Sequence, residues 1–442
     1  MAARDQAPKH QITEIAVSGY KSIRENQSIE VRPLTLLCGA NSSGKSSIIQ
    51  PLLLLKQTLE ASFDPGALLL DGPNVRFTRA DQLFARTKQG QEARKFTVAV
   101  RQGDGLFVRL TFEPGVVVPV DIVEVYSEKP PDEGFALRRE TPGAQILTTF
   151  SKEILKLMRA LKNFSKDPKV AVERNRCFLR ATFPESMFGF EFSPGDAIIP
   201  GIQSLIHLPG LRGNPQRTYP VTAVAGTFPG TFERYVASVV AQWEESGAQN
   251  NLSRVGDGLQ RLGLSWKVTH KRVSDTEVEL VVGRLPRSMR GGAYDTVSIA
   301  DVGFGVSQVL PVLVALRAAR ENQIVHIEQP ELHLHPRAQV ALAEILCDAA
   351  KRGVRVIAET HSISLLAGVR SLVARELVAP ELIKLHWFQR DESGATQVIS
   401  ADLDKDGAFG DWPEDFAEVE LQTESEYLDA VERRSAREQT AR

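Results

Sequence analysis

Cysteine is scarce and net charge is nearly absent, and each shortage narrows what the chain can be. The 442 residues hold three cysteines, Cys38, Cys177 and Cys347, odd in number and widely spaced, with neither CxxC spacing nor the look of a disulfide framework. They read as small buried fillers in a reducing compartment. A formal net charge of −2 rules out a uniformly basic nucleic-acid binder, although local patches can cancel in that sum. No run approaches the ~18 uncharged apolar residues that a membrane span needs, and the opening MAARDQAPKHQ lacks the apolar core of a signal peptide. The expectation is a cytoplasmic protein with no membrane partner. Internal repeats and heptads long enough for a coiled-coil arm are also missing.

What is present suffices for a packed fold, since 42% of the residues are hydrophobic and the length allows about two to three units at ~150 residues each. From Ile12, ITEIAVSGYKSI and SIEVRPLTLLCG alternate apolar and polar residues around Pro33, predicting two or three short strands. The last strand, Leu34 to Cys38, runs into a Gly/Ser loop and then into SSIIQPLLLLKQTLEASF, a predicted buried helix. Residues 95–126 alternate around Gly103-Asp104-Gly105 and Glu113-Pro114-Gly115, the pattern of antiparallel hairpins. Between 127 and 290 the character changes: scattered Pro and Gly, helical stretches near 151–165 and 231–247, and the β-like VTHKRVSDTEVELVV. An α/β pattern returns from Thr296, with helix 308–320, strand QIVHI, helix 336–352, strand VRVIAET and a strand near 382–389. The expected organisation is a head split into 1–126 and 291–400, an inserted lid or accessory module at 127–290, and an acidic tail at 401–442.

Two motifs carry chemistry in that frame. Gly39-Ala-Asn41-Ser42-Ser43-Gly44-Lys45-Ser46 fits G-x-x-x-x-G-K-[ST] and lies between a predicted strand and a predicted helix, followed by Ser47. Its glycines let backbone N–H groups wrap phosphates at a helix N-terminus, Lys45 reaches the β/γ-phosphates of ATP, and the Ser46 hydroxyl ligates Mg2+. Ile324-Val-His-Ile-Glu328-Gln329-Pro330-Glu331 has the form of a Walker B strand, apolar residues carrying an acid to the C-terminal edge of a parallel sheet. Glu328 is the expected second holder of the Mg2+ shell, directly or through water.

GANSSGKSS, DVGFGVSQVLP, IEQPELHLHP and AETHS, in that order over 39–363, resemble the AAA-family, ABC/SMC-like ATPases of the RecF and OLD type. They are most similar to ATPase components of anti-phage defence systems, the PtuA-like and AriA-like proteins. GYKSI, LRGNPQRTY and DWPEDF add to the likeness. The resemblance implies an α/β fold: an ABC-type P-loop ATPase head, a mixed sheet with a β-rich subdomain, here with an inserted α+β module. It implies composite ATP sites in a head-to-tail homodimer or higher assembly. Gly303, Gly305, Ser307 and Gln308 take the place of the ABC signature, opening a helix toward the γ-phosphate held by the other subunit, and small residues before a helix do expose N–H donors to an anion. His361 takes the place of the switch histidine. His335 falls where the D-loop aspartate would lie, and Gln82 is a Q-loop candidate.

One departure matters. Most relatives carry Asp-Glu where this chain has Glu328-Gln329, so the usual base is an amide, which positions water but cannot take its proton. Glu331 or Glu328 is left as the base, and slow turnover suits a switch that holds ATP. About 80 residues follow His361, short for the Toprim nuclease domain of OLD-type proteins, so a separate effector, nuclease or toxin, encoded nearby is expected. The alternative reading is a RecF-like repair ATPase that clamps DNA on ATP-dependent dimerisation. Nucleic acid remains a possible partner, because residues 151–180 hold nine Lys/Arg against three acids beside the apolar stripe Ile154, Leu157, Met158, Leu161 and Phe164. Residues 401–432 carry twelve acids and a single base, Lys405. DLDKDG at 402–407 starts like a calcium loop, but its twelfth position is Pro413, so it reads as a turn.

Overall fold

A computed structural model of the chain describes residues 11–86, 93–130, 134–150, 170–183, 191–287 and 295–410, with positions 428 and 431. The stretch expected as helix 151–165 lies outside the described residues, as do most of its basic cluster and most of the acidic tail.

Apolar runs with no polar face make the central sheet. Its order is β11 (Ile206–Leu208), β16 (Ile324–Glu328), β17 (Arg355–Thr360), β3 (Leu34–Gly39), β18 (Ile383–Arg390) and β19 (Thr396–Ala401). The first five are parallel and β19 returns antiparallel. Every residue of β3 and β17 is buried, as a parallel strand covered on both faces requires. Alternate side chains enter different cores: Leu34, Leu36 and Cys38 face a helical core, while Leu37 faces a β-rich one. Helices 236–245, 304–318, 336–351 and 363–374 supply the helical core, and the P-loop helix Lys45–Glu60 lies on the other side.

Alternating sequences make the second sheet, ordered β2 (Gln27–Glu30), β1 (Ile12–Ser18), β4 (Phe96–Gln102), β5 (Phe107–Pro114), β6 (Val120–Glu128) and β7 (Phe135–Leu137), antiparallel throughout. The hairpin turns fall at 103–106 and 115–119, where the Gly-Asp-Gly and Glu-Pro-Gly signals stand. The stretch VTHKRVSDTEVELVV is the hairpin β13 (Val268–Arg272) and β14 (Glu277–Gly283). The whole is an α/β arrangement: a mixed, mostly parallel sheet that carries the P-loop, packed with an antiparallel β-rich subdomain.

Three features differ from the sequence expectation. The helix expected from 308 begins at Phe304 with Gly303 as N-cap, because GFGV offers no side chain that opposes an earlier start. The chain adds β19 after the last expected strand. The stretch expected as an insertion also supplies β11 to the edge of the head's own sheet, pairing Ile206–Leu208 with Val325–Ile327; an apolar triplet is too short to signal a strand by periodicity.

Two buried cations tie these layers together. Lys56, 0% exposed on the P-loop helix, pairs with Glu60 and donates to Phe228 O at 3.1 Å and Gln203 O at 3.3 Å. Arg355, at the start of β17, donates to the carbonyls of Ile12 (3.1 Å) and Val31, joining the two sheets. Burial pushes its pKa down to about 10, so it stays charged at neutral pH. Arg355→Met should strand both carbonyls, each costing ~1–3 kcal/mol; urea denaturation should show a loss of about 3 kcal/mol, and a change under ~0.5 kcal/mol would contradict this tie.

Candidate functional site

The strand-to-helix turn after β3 is shaped by two glycines in conformations that L side chains rarely adopt, Gly39 (φ 137) and Gly44 (φ 108). A Cβ at Gly39 would lie 2.2 Å from Phe388 O, and one at Gly44 would lie 2.3 Å from Thr396 Oγ1. Thr396, the first residue of β19, braces the loop by donating to Ser43 O at 2.8 Å. Lys45 Nζ donates to Gly39 O (2.9 Å) and Ala40 O (2.7 Å), so its ammonium is held across the loop mouth. Burial lowers its pKa, with the Glu359 carboxylate foremost in opposing the shift. Ser43 Oγ is buried without a hydrogen-bond partner among the described residues. The bracketed ammonium and the helix N-terminus form a cradle that fits a phosphate.

Parallel register brings the acids to the loop. Glu328 ends β16 opposite Glu359 on β17, and Thr360 lies opposite Cys38 on β3. The Ser46 hydroxyl donates to Glu359 Oε2 at 2.6 Å, a carboxylate that the sequence reading had not placed beside the loop. Glu359 sits one strand closer to the loop, because β17 lies between β3 and β16. The donor set of Ser46 Oγ and Glu359 is all oxygen, the chemistry that Mg2+ takes alongside phosphates. Glu359 Oε1 faces His326 Nε2 at 3.0 Å.

Glu328, at the end of β16, is held by partners outside the P-loop. Its Oε1 faces His207 Nε2 at 3.2 Å, and its Oε2 accepts from Gly210 N at 3.1 Å. Burial works against its charge, but the His207 contact, the neighbouring imidazoles and the Gly210 N–H hold its carboxyl well below the usual carboxylate range. Burial also holds His207 below its ordinary value, so that ring is neutral at pH 7. Gln329 has φ 46 and donates its N–H to Glu359 O at 2.8 Å, locking the two strand ends together.

Glu331 Oε1 accepts from Thr360 Oγ1 (2.7 Å) and His361 N (3.0 Å), while Oε2 has no partner among the described residues. Burial raises its pKa, with Thr360, His361 N and Arg212 opposing. His361 is half-buried, and burial together with the Lys45 ammonium keeps it below its ordinary value, with the Gly39 backbone and Glu359 opposing. Ser362 caps the following helix, accepting from Leu365 N at 2.9 Å.

These groups share one cavity of 990 Å³. Asn41, Ser42, Gly44, Lys45, Ser46, Ser47, Glu328, Gln329, Glu359 and His361 line it, together with Lys21, Arg24, Gln82, Arg86 and Arg390. The four cations of the latter group suit a polyphosphate, and one of them, Arg390, donates to Ser42 O at 2.8 Å. Gly39 and Ser43 shape the loop from behind, and Glu331 is set back from the cavity. Gln82 spends its Oε1 on Thr78 N (3.0 Å) and Arg79 N (3.2 Å), leaving its amide NH2 toward the cavity.

Gly303, Gly305, Ser307 and Gln308 do not line it. Gly303 caps an exposed helix N-terminus and Phe304 is 54% exposed beside His333. Ser307 Oγ returns to Phe304 O (3.1 Å), and Gln308 Nε2 donates to Gly213 O (2.8 Å). His335 caps its own helix through Arg337 N at 3.3 Å.

Sequence reasoning missed Glu359, His207, Gly210, Arg212 and the cationic wall. Arg212 donates to Glu328 O (2.7 Å), Gln329 O (3.3 Å) and Gln308 O (3.2 Å), linking the acid-bearing strand to the Gly303 helix. A Glu two residues before the switch-like histidine was the one readable signal, in AETHS.

Comparison with known proteins agrees with this chemistry. Residues 11–173 match the family model of the AAA ATPase domain, and residues 227–367 match that described as "AAA domain, putative AbiEii toxin, Type IV TA system". Similar solved structures include an Smc head bound to the C-winged helix domain of ScpA (15% identity, 89% of this chain and 98% of that one, TM-score 0.45). Another is the Smc head domain with an extended coiled coil bound to the C-terminal domain of ScpA, derived from Pyrococcus furiosus (13% identity, 96% and 99%, TM-score 0.44). A third is the SMC head domain from Thermotoga maritima (10%, 88% and 98%, 0.35). None of the curated proteins compared matches the chain.

The raised pKa of Glu331 gives a signed test. The folded chain binds that proton more tightly than the unfolded chain, so the contribution is fully present below the ordinary value of 4.5 and is lost as pH rises through the folded value. Glu331→Gln removes this loss. Its stability relative to wild type should therefore climb with pH from about 4.5 and then level off. A relative stability that falls with pH in urea titrations contradicts the burial argument.

Proposed function

We propose that this chain is an Mg2+-dependent ATPase whose composite sites form when two copies associate head to tail, and that ATP-gated association switches a separate effector, a nuclease or toxin, in defence against phage. The observation that carries the reading is the division of the site. One cavity gathers Lys45, Ser46, Glu359, Gln329 and His361, while the Gly303–Gln308 segment stands outside it at an exposed helix N-terminus. A second copy can bring that N-terminus, with its free N–H groups, to the open side of the cavity.

In this reading Lys45 leaves the Gly39 and Ala40 carbonyls for the β/γ-phosphates, and the P-loop N–H groups wrap them. Mg2+, held by Ser46 and Glu359, would neutralise charge developing on the phosphates. Gln329 orients the attacking water through its amide. Of the two carboxylates considered as base, Glu328 lines the cavity and Glu331 does not. Glu328 is ionised and can accept a proton, but the contacts that hold its pKa low make it a weak base, and slow turnover follows. Arg212 then offers a route from the acid-bearing strand to the Gly303 helix, by which the nucleotide state reaches the interface. The head would be built from 1–126 and 291–400, with 127–290 contributing His207, Gly210 and Arg212. The likeness of residues 227–367 to a model named for an AbiEii-type toxin is compatible with effector control.

Lys45→Ala and Ser307→Arg should each abolish ATP turnover alone. Mixed in equal amounts, they should recover about a quarter of the wild-type rate, because half the dimers are heterodimers with one intact site. Turnover by either variant alone, or none in the mixture, contradicts the composite site.

A further inference from the structure

One short stretch of chain grips the carboxylate that the proposed reaction uses. His207 on β11 and Gly210 just after it meet the two oxygens of Glu328 separately: His207 Nε2 stands 3.2 Å from Oε1, and Gly210 N donates to Oε2 at 3.1 Å. The His207 ring is fully buried, and the ring of His326, stacked on it with centroids 5.3 Å and planes 14° apart, keeps it from tilting. Burial also leaves it neutral. A neutral imidazole has a single N–H, so the nitrogen that carries it decides whether Glu328 meets a donor or a lone pair.

Asn74 makes that choice. Its Oδ1 stands 3.1 Å from His207 Nδ1, while its Nδ2 is buried without a partner among the described residues. With the amide so turned, Nδ1 has to carry the proton, and Nε2 presents a lone pair to a carboxylate. A half-turn of the amide, which leaves its shape unchanged, removes both faults: its NH2 donates to Nδ1, and Nε2–H donates to Glu328 Oε1. Only one carbonyl oxygen is then unmatched. Asn74 is in turn fixed from the P-loop helix, where Gln57, 2% exposed, accepts through Oε1 from Asn74 N (3.2 Å) and Val75 N (3.0 Å). Gln57 Nε2 donates to Leu69 O (2.6 Å) and Val75 O (3.1 Å), so both ends of its amide hold the same turn of chain.

We propose that Gln57, Asn74 and His207 form a chain of hydrogen bonds from the P-loop helix to Glu328, in which His207 is a positioning residue that donates from Nε2 and aims the carboxylate into the nucleotide cavity. The proposal rests on the reading of Glu328 as the base of ATP hydrolysis. Glu328 lines the cavity, whereas Gln57, Asn74 and His207 do not. Loss of the chain should therefore slow the chemical step and leave nucleotide binding in place. A base has to be held within about 0.5 Å of its working position, and a misplacement of about 1 Å can cost ~10²-fold in rate.

Two measurements on the full chain test this. In steady-state ATP turnover, His207→Leu should lower kcat by about 10²-fold with KM changed less than ~3-fold, while His207→Gln, whose amide NH2 falls near the place of Nε2–H, should return kcat to within ~10-fold of wild type. In variants that still bind a nonhydrolysable ATP analogue, equal losses, an unchanged kcat in His207→Leu or a loss confined to KM would overturn the proposal. Nitrogen NMR of histidine-labelled wild type without nucleotide supplies the second reading, with His207 identified by the signal absent in His207→Gln or displaced in Asn74→Ala. That ring should be protonated on Nε2 and bare on Nδ1, and the Nδ1–H form would overturn the proposal whether or not a variant folds. Glu328→Gln separates the two readings: if it leaves turnover intact, the assignment of the base fails, and the nitrogen signal still decides the chain.

Discussion

Parallel register among β16, β17 and β3 is the constraint on which the site depends. Glu328 pairs with Glu359, and Thr360 pairs with Cys38, so two carboxylates, the switch-like histidine and the P-loop all leave the sheet at one edge. A slip of one residue would send Glu359 to the opposite face and bury it in a core with no partner. The continuous apolar character of these strands makes that slip costly, because both faces are already packed.

That edge holds more buried acid than an ordinary core tolerates. Each carboxylate is met differently: Glu359 by Ser46 and His326, Glu328 by His207 and Gly210 N, and Glu331 on one oxygen alone by Thr360 and His361 N. The surrounding scaffold supplies the stability that such a cluster lacks, through the two cores and the buried ties of Lys56 and Arg355. The acid beside the P-loop meets a hydroxyl and an imidazole, the next an imidazole and a backbone N–H, and the third is set back from the cavity.

How much of this was legible in the sequence follows from distance along the chain. The P-loop, its flanking strand and helix, the hairpins at 96–128 and the strand before Glu328 are local patterns, and periodicity and glycine placement mark them. Partners brought together by topology leave no such mark. His207 stands 121 positions from Glu328, inside a stretch whose irregular composition suggested a separate module. Glu359 was read as part of a strand, because a lone polar residue there does not announce which neighbour it meets. The expectation that Glu328 holds the Mg2+ shell with Ser46 followed the commoner motif, and it considered no other carboxylate at that edge. It missed that β17, lying between β16 and β3, carries a carboxylate of its own. The helix at Phe304 began earlier than expected because glycines hide a start that caps usually announce.

The proposal on which the rest turns is that Glu359, whose carboxylate the Ser46 hydroxyl meets at 2.6 Å, holds Mg2+ together with Ser46. The direct measurement is the affinity of a nonhydrolysable ATP analogue with and without Mg2+, by calorimetry, for wild type, Glu359→Gln and Glu328→Gln. The account requires Glu359→Gln to lose the Mg2+-dependent gain in affinity while Glu328→Gln keeps it. The reverse pattern, with the gain lost only in Glu328→Gln, would contradict it.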